Sequence, residues 1–182
     1  MDRRADGTGN AARVGAYDGP TSHRFRTMHP LDPRVRTVWR LAAGLRFGAL
    51  AVAAVAFDAA RIFSDDRAVP LGLASGLVVA AAVLYLAAYV PRRYAAWRYV
   101  LDADALVLAR GVVTRAETVV PVARVQHIDV LQGLIEREYG LARLVVHTAG
   151  THDASVTLPG LALEDAEALR DTLRARAGDD DL

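Results

Sequence analysis

The chain has 182 residues, with 22 basic and 21 acidic side chains, a net charge of +1 and 53% hydrophobic residues. Every basic residue is arginine and cysteine is absent, which excludes disulfides, thiolate metal sites and cysteine nucleophiles. The near-neutral balance, with arginines spread thinly, provides no global field for nucleic acid.

Residues 1–33 are rich in Gly, Arg, Asp and Ala without an apolar period and predict a disordered tail. A first apolar segment, residues 38–57, is interrupted by Arg46, which can snorkel towards headgroups from near the segment's start. Residues 71–90 (LGLASGLVVAAAVLYLAAYV) carry no charge. As a helix they reach about 30 Å, the hydrocarbon thickness of a bilayer. Pro70 precedes this run, and Pro91-Arg92-Arg93 ends it with a helix breaker and a cationic anchor. Residues 34–91 therefore predict a transmembrane helical hairpin.

The connection between the spans, residues 58–70, holds Asp58, Arg61, Asp65, Asp66 and Arg67. The outer flanks are basic, with Arg34, Arg36 and Arg40 before the first span and Arg92, Arg93 and Arg98 after the second. The positive-inside rule then places both termini in the cytoplasm of a multi-pass membrane protein, with the short loop outside. Trp39, Arg40, Arg92, Arg93, Tyr94, Trp97 and Arg98 form the expected membrane-interface set, since amphipathic rings and cations favour the headgroup level.

After Trp97 the pattern changes to short, β-branched runs at 98–101, 106–109, 117–122, 125–131, 142–148 and 155–158. Asp102-Ala103-Asp104 reads as a hairpin turn, and the break from Gly133 to Gly140 allows one helical turn. Within 125–131, Ile128 and Val130 alternate with His127 and Asp129, so one face is wet. Residues 163–176 place Leu163, Ala166, Leu169 and Leu173 on one helical stripe, with acids in the first turn and arginines in the last. Residues 92–177 thus predict a small antiparallel β-domain capped by a C-terminal helix, followed by an acidic tail at 178–182. The fold class is α+β.

Candidate chemistry is sparse. His127 and His147 fall on neighbouring strands, but no third ligand with turn or helix spacing accompanies them, so no metal or cofactor is expected. Ser155 and Thr148 lack the sharp elbow that exposes a nucleophile. The carboxylate pairs Asp102/Asp104 and Glu136/Glu138 sit in predicted turns, where solvated charge is usual. GLIEREYG lacks the spacing and the lysine of a phosphate loop. The suggestive polar set is Arg124, Gln126, His127 and Asp129, with Arg143 beyond the next break. Arg124 and Gln126 either close the turn after Pro121 or engage a partner's carboxylate and backbone.

The run RVQHIDVLQGLIEREYGLARLVVHTAG, followed by ASVTLPGL, resembles the bacterial pleckstrin-homology-like family of YdbS and YdbT membrane proteins. Arg98-Tyr99, Arg110-Gly111 and Pro159-Gly160-Leu161 support the resemblance, which extends over about residues 34–176. It implies a seven-stranded pleckstrin-homology-like barrel or sandwich closed by the helix. The seventh strand would come from within residues 112–122. It also implies a membrane-associated module without enzymatic activity. The expected role is a cytoplasm-facing adaptor that recruits membrane proteins, among them a larger YdbT-like protein or a second copy of the chain. The rival expectation is a sensor of anionic headgroups or a small ligand at the inner leaflet.

Overall fold

The β-branched runs after Trp97 fold as two antiparallel sheets, and the apolar stretch before them folds as two long helices that enter the same core. This computed structural model describes residues 28–62, 70–149 and 155–179. Residues 1–27 of the expected tail, Asp65, Asp66 and Arg67 of the connection, and residues 180–182 lie outside the described residues. In chain order the elements are β1 (His29–Pro30), α1 (Val35–Ile62), α2 (Leu73–Ala96), β2 (Arg98–Leu101), β3 (Ala105–Arg110) and β4 (Ala116–Pro121). A 3-10 turn at Val122–Arg124 leads to β5 (Val125–Leu131), α3 (Leu134–Glu138), β6 (Leu141–Thr148), β7 (Ser155–Ala162) and α4 (Leu163–Asp179).

One sheet has the order β1-β2-β3-β4 and the other β5-β6-β7, all antiparallel. The α+β class and the helix-capped β-domain match expectation, but the sheets are separate ladders rather than a closed barrel. The seventh strand is also not where the resemblance put it. It is β1, upstream of both long helices, pairing His29 with Tyr99 and Pro30 with Arg98. Residues 28–31 of the expected tail instead belong to the fold, since Met28 packs against Val107 and Ala109, and Leu31 is 1% exposed in the main core.

The two helices are long and apolar enough to cross a membrane. Their outer faces carry large apolar side chains with no protein cover, such as Leu45 at 76% exposure and Leu84 at 68%. Such continuous apolar surface belongs in lipid. Contacts run in opposite order along the pair, with Asp58 against Ser75, Phe47 against Tyr85 and Arg93 over Trp39, so the helices form an antiparallel hairpin.

Both spans exceed the predicted 38–57 and 71–90. Asp32 starts α1 as an N-cap, its Oδ1 accepting the Arg34 backbone N–H at 2.8 Å, with Pro33 in the first turn. At the other end, Asp58 lies on α1 rather than in the connection, and its carboxylate accepts the Ser75 N–H at 3.0 Å. Pro91 does not end α2. Residues Tyr85–Tyr89 widen into a π-helical turn, with the Val90 N–H reaching the Tyr85 carbonyl, and the helix continues past the proline to Ala96. The proline sits at the start of this last segment, where a missing N–H is tolerated.

Leu31, Val35 and Val38 from the start of α1 and Trp97 after α2 share one core with Leu106, Leu108, Leu144, Leu158, Leu161 and Leu173. Gly160 explains the closeness of this junction. It adopts φ +66°, and a Cβ there would lie 2.7 Å from the Val35 Cβ. The Asp32 N–H also donates to the Gly160 carbonyl at 2.9 Å. The β-domain is thus seated directly on the basic ends of both helices rather than swinging from a linker.

Candidate functional site

The bulge in β5 organises the wet face of the second sheet. The β5–β6 register shifts between Val125 and His127, which lets Val125 and Ile128 both pack inward while Gln126 and His127 are both exposed. His127 pairs with His147 of β6, and their rings lie 5.9 Å apart. Asp129, next but one along β5, sits between them. Its Oδ1 is 2.7 Å from His127 Nε2, and its Oδ2 is 3.2 Å from His147 Nε2. Each imidazole with a proton on Nε2 donates to the shared carboxylate. Among the described residues, no three His, Asp or Glu side chains are arranged to hold a metal ion.

Of the expected polar set, the structure brings together His127 and Asp129, adds His147 to them, and places Gln126 beside them on the bulge. Arg124 is exposed in the 3-10 turn, where its carbonyl accepts the Ala149 N–H at 3.0 Å. That bond closes the turn against the end of β6. Arg143 does not join this group. It sits opposite Leu131, four residues along β6 from His147, and its Nε and Nη2 donate to Glu136 Oε2 at 3.1 and 2.8 Å. Glu136 also accepts the Gly133 N–H at 2.7 Å, so it caps α3 instead of standing solvated.

A groove of about 290 Å³ runs between the start of β5 and the end of α4, lined by Gln126, His127, Arg174, Ala177 and Gly178. Because β5 is the outer strand of its sheet among the described residues, this groove lies along a strand edge that none of them pairs.

The expected membrane-interface set divides. Arg40 and Arg92 are exposed, and the Arg93 guanidinium stacks 4.2 Å over the Trp39 ring. Tyr94 and Trp97 instead face protein. The Tyr94 hydroxyl donates to the Leu31 carbonyl at 3.0 Å, and Trp97 is 8% exposed in the core. The reason is the continuation of α2 past Pro91, which turns its last residues onto the β-domain. Arg98 donates to the Trp97 carbonyl at 2.7 Å and lines a second, larger cavity with Arg92, Arg110 and Arg115. Arg110 and Arg115 were not among the expected site residues. The available signal was RGVVTR, an apolar tip between two arginines.

The family model described as Bacterial PH domain matches residues 45–177. The chain is 35% identical over 92 residues to UPF0699 transmembrane protein YdbS of Bacillus subtilis (strain 168), a match covering 50% of this chain and 56% of that protein. The chain thus spans a little over half the length of the curated relative it matches. No solved structure matches.

Proposed function

The chain belongs to the bacterial PH-domain family, and from that premise we propose that it is a non-catalytic, membrane-anchored adaptor. The β-domain faces the cytoplasm from the inner membrane, as the basic flanks of the hairpin favour. It recruits an extended segment of a partner membrane protein along the edge of β5. The observation that carries this reading is the β5 edge, unpaired among the described residues and opened by the bulge at Gln126 onto the groove beside α4. Strand addition supplies main-chain hydrogen bonds, and the groove selects side chains. His127, Gln126 and Arg174 give it a polar, partly cationic lining suited to an acidic partner segment. Anchoring raises the domain's effective concentration towards other membrane proteins, so modest intrinsic affinity suffices. The resemblance points to a larger YdbT-like protein as the partner.

A photo-crosslinking residue at Gln126 of the full-length chain, activated in native membranes, tests this. The expected product is one discrete adduct with a membrane protein carrying further domains of this family, much reduced by Arg174→Glu. An adduct yield unchanged by Arg174→Glu, or no discrete adduct, would remove the adaptor role from this edge.

A further inference from the structure

The β5 groove has a guanidinium group and no carboxylate among its lining residues. Val125, Gln126, His127 and Ile128 line it from β5, and Arg174, Ala177 and Gly178 line it from the end of α4. The 3-10 turn that carries Arg124 also packs against α4, so a second exposed arginine stands directly before the β5 part of the lining.

Neither guanidinium makes a hydrogen bond or ion pair among the described residues. Their neighbours are committed. Arg170 pairs with Asp171 at 2.8 Å, which occupies the acid one turn before Arg174, and Arg176 donates to the Asp102 carbonyl at 2.6 Å. On the β5 side, Asp129 is held by His127 and His147. Arg124 and Arg174 are therefore the two cations at this end of the domain that these acids leave without a close partner.

The sequence places acids beside them. Helix α4 ends at Asp179, and Asp180, Asp181 and Leu182 follow outside the described residues. Carboxylates just past a helix C-terminus sit at the negative end of its dipole, which is unfavourable unless a cation lies close. Gly178 itself lines the groove, and each extended residue beyond it adds about 3.4 Å, so Asp180 and Asp181 come within reach of Arg174 without any movement of α4. The β5 edge facing them is open to an extended strand among the described residues.

We propose that residues 180–182 fold back over the β5 groove, with Asp180 and Asp181 engaging Arg174 and Arg124, so that the chain occupies its own docking edge. An acidic segment of a partner then binds by displacement, and its apparent affinity is lowered by the fraction of grooves already filled. At the high effective concentration that anchoring creates, this competition excludes weak and unspecific segments. The contact itself needs no partner, whereas its regulatory consequence rests on the adaptor reading.

Because the chain has no cysteine, a disulfide can be introduced as a clean probe. Gln126→Cys and Asp181→Cys are combined in the full-length chain in micelles, and disulfide formation under mild oxidation is followed by non-reducing electrophoresis. The expected product is an intramolecular disulfide whose rate falls about five-fold in R124Q/R174Q, and comparably in about 0.5 M sodium chloride. A rate unchanged by the arginine substitutions reflects tethering alone and overturns the proposal. So does a disulfide that forms as readily when Q126C and D181C are carried by separate chains. Both arginines are exposed, so R124Q/R174Q should melt like the parent, and R174Q alone carries the test if it does not. The photo-crosslinking residue at Gln126 separates this contact from the adaptor reading. D180N/D181N should raise the partner adduct about five-fold, and an adduct yield unchanged by it overturns the occlusion. A charge-dependent disulfide with no adduct in either form removes the adaptor role and leaves the contact standing.

Discussion

The two ends of the helical hairpin are held by opposite kinds of chemistry. At the domain end, Leu31, Val35, Val38 and Trp97 are sunk in an apolar core, with Gly160 drawn up against Val35. At the far end, a single carboxylate, Asp58, reaches from α1 to the first turn of α2 and accepts the Ser75 N–H. The first arrangement is broad and shape-dependent, and it survives only if many side chains keep their volume. The second is, among the described residues, a directional interaction at a helix N-terminus, which an isosteric change can remove cleanly. A domain built this way has its orientation fixed at the junction and its helix spacing trimmed at the distal turn.

The contrast can be broken most strongly at Gly160. Alanine there has to adopt φ +66° and displace Val35, at a cost of about 4 kcal/mol, measured by thermal or urea unfolding of the full chain in micelles. Leu31→Ala removes a fully buried side chain from the same junction and should cost about 3 kcal/mol in the same assay. Both changes should speed hydrogen exchange in the first turn of α1 and leave that of Ser75 unaltered. Asp58→Ala should do the reverse, raising exchange at Ser75 about five-fold with the β-domain melting temperature unchanged. Equal spread of all three effects over the molecule would show that the two ends are one cooperative unit.

The smallest effect is one of pH. Hydrogen bonds from the Arg34 guanidinium, aided by its backbone N–H, hold the Asp32 carboxyl below its ordinary value despite partial burial. A depressed carboxylate stabilises the fold at pH values above its unfolded pKa, and the contribution fades as pH falls through the lower folded value. Docking of α1 should therefore be independent of pH near neutrality and weaken only below about pH 4. Asp32→Asn should flatten that acid limb in a melting-temperature series.

Much of the β-domain could be read from residue order, and the reasons are local. β2 and β5 have the boundaries that their β-branched runs suggest, and Gly133 and Gly140 bracket α3. What escaped is what only tertiary packing decides. β1 is two residues, one of them proline, and becomes a strand because β2 offers it an edge. Trp97 and Tyr94 carry the composition of interface anchors, and only the path of α2 past Pro91 directs them inward. The wet face of β5 was legible through the alternation of Ile128 with His127 and Asp129. The joining of His147 to Asp129 depended on register, and the separation of Arg143 from His127 depended on the position of Glu136. The cavity beside the end of α2 was the least legible, because its lining residues come from the end of α2, β2 and the β3–β4 turn.

The widened turn at Tyr85–Tyr89 acts as a phase adjuster. One extra residue in a helical turn rotates everything downstream by about 100° relative to an uninterrupted α-helix. Upstream of that turn, α2 offers its surface to lipid. Downstream, the same helix buries Val90 and offers Tyr94 to the β-domain. Deleting a single alanine there would leave a span long enough for the bilayer while pointing Tyr94 and Trp97 away from their sockets. Angular bookkeeping of this kind ties the length of one membrane segment, counted in single residues, to whether the domain beyond it can seat at all.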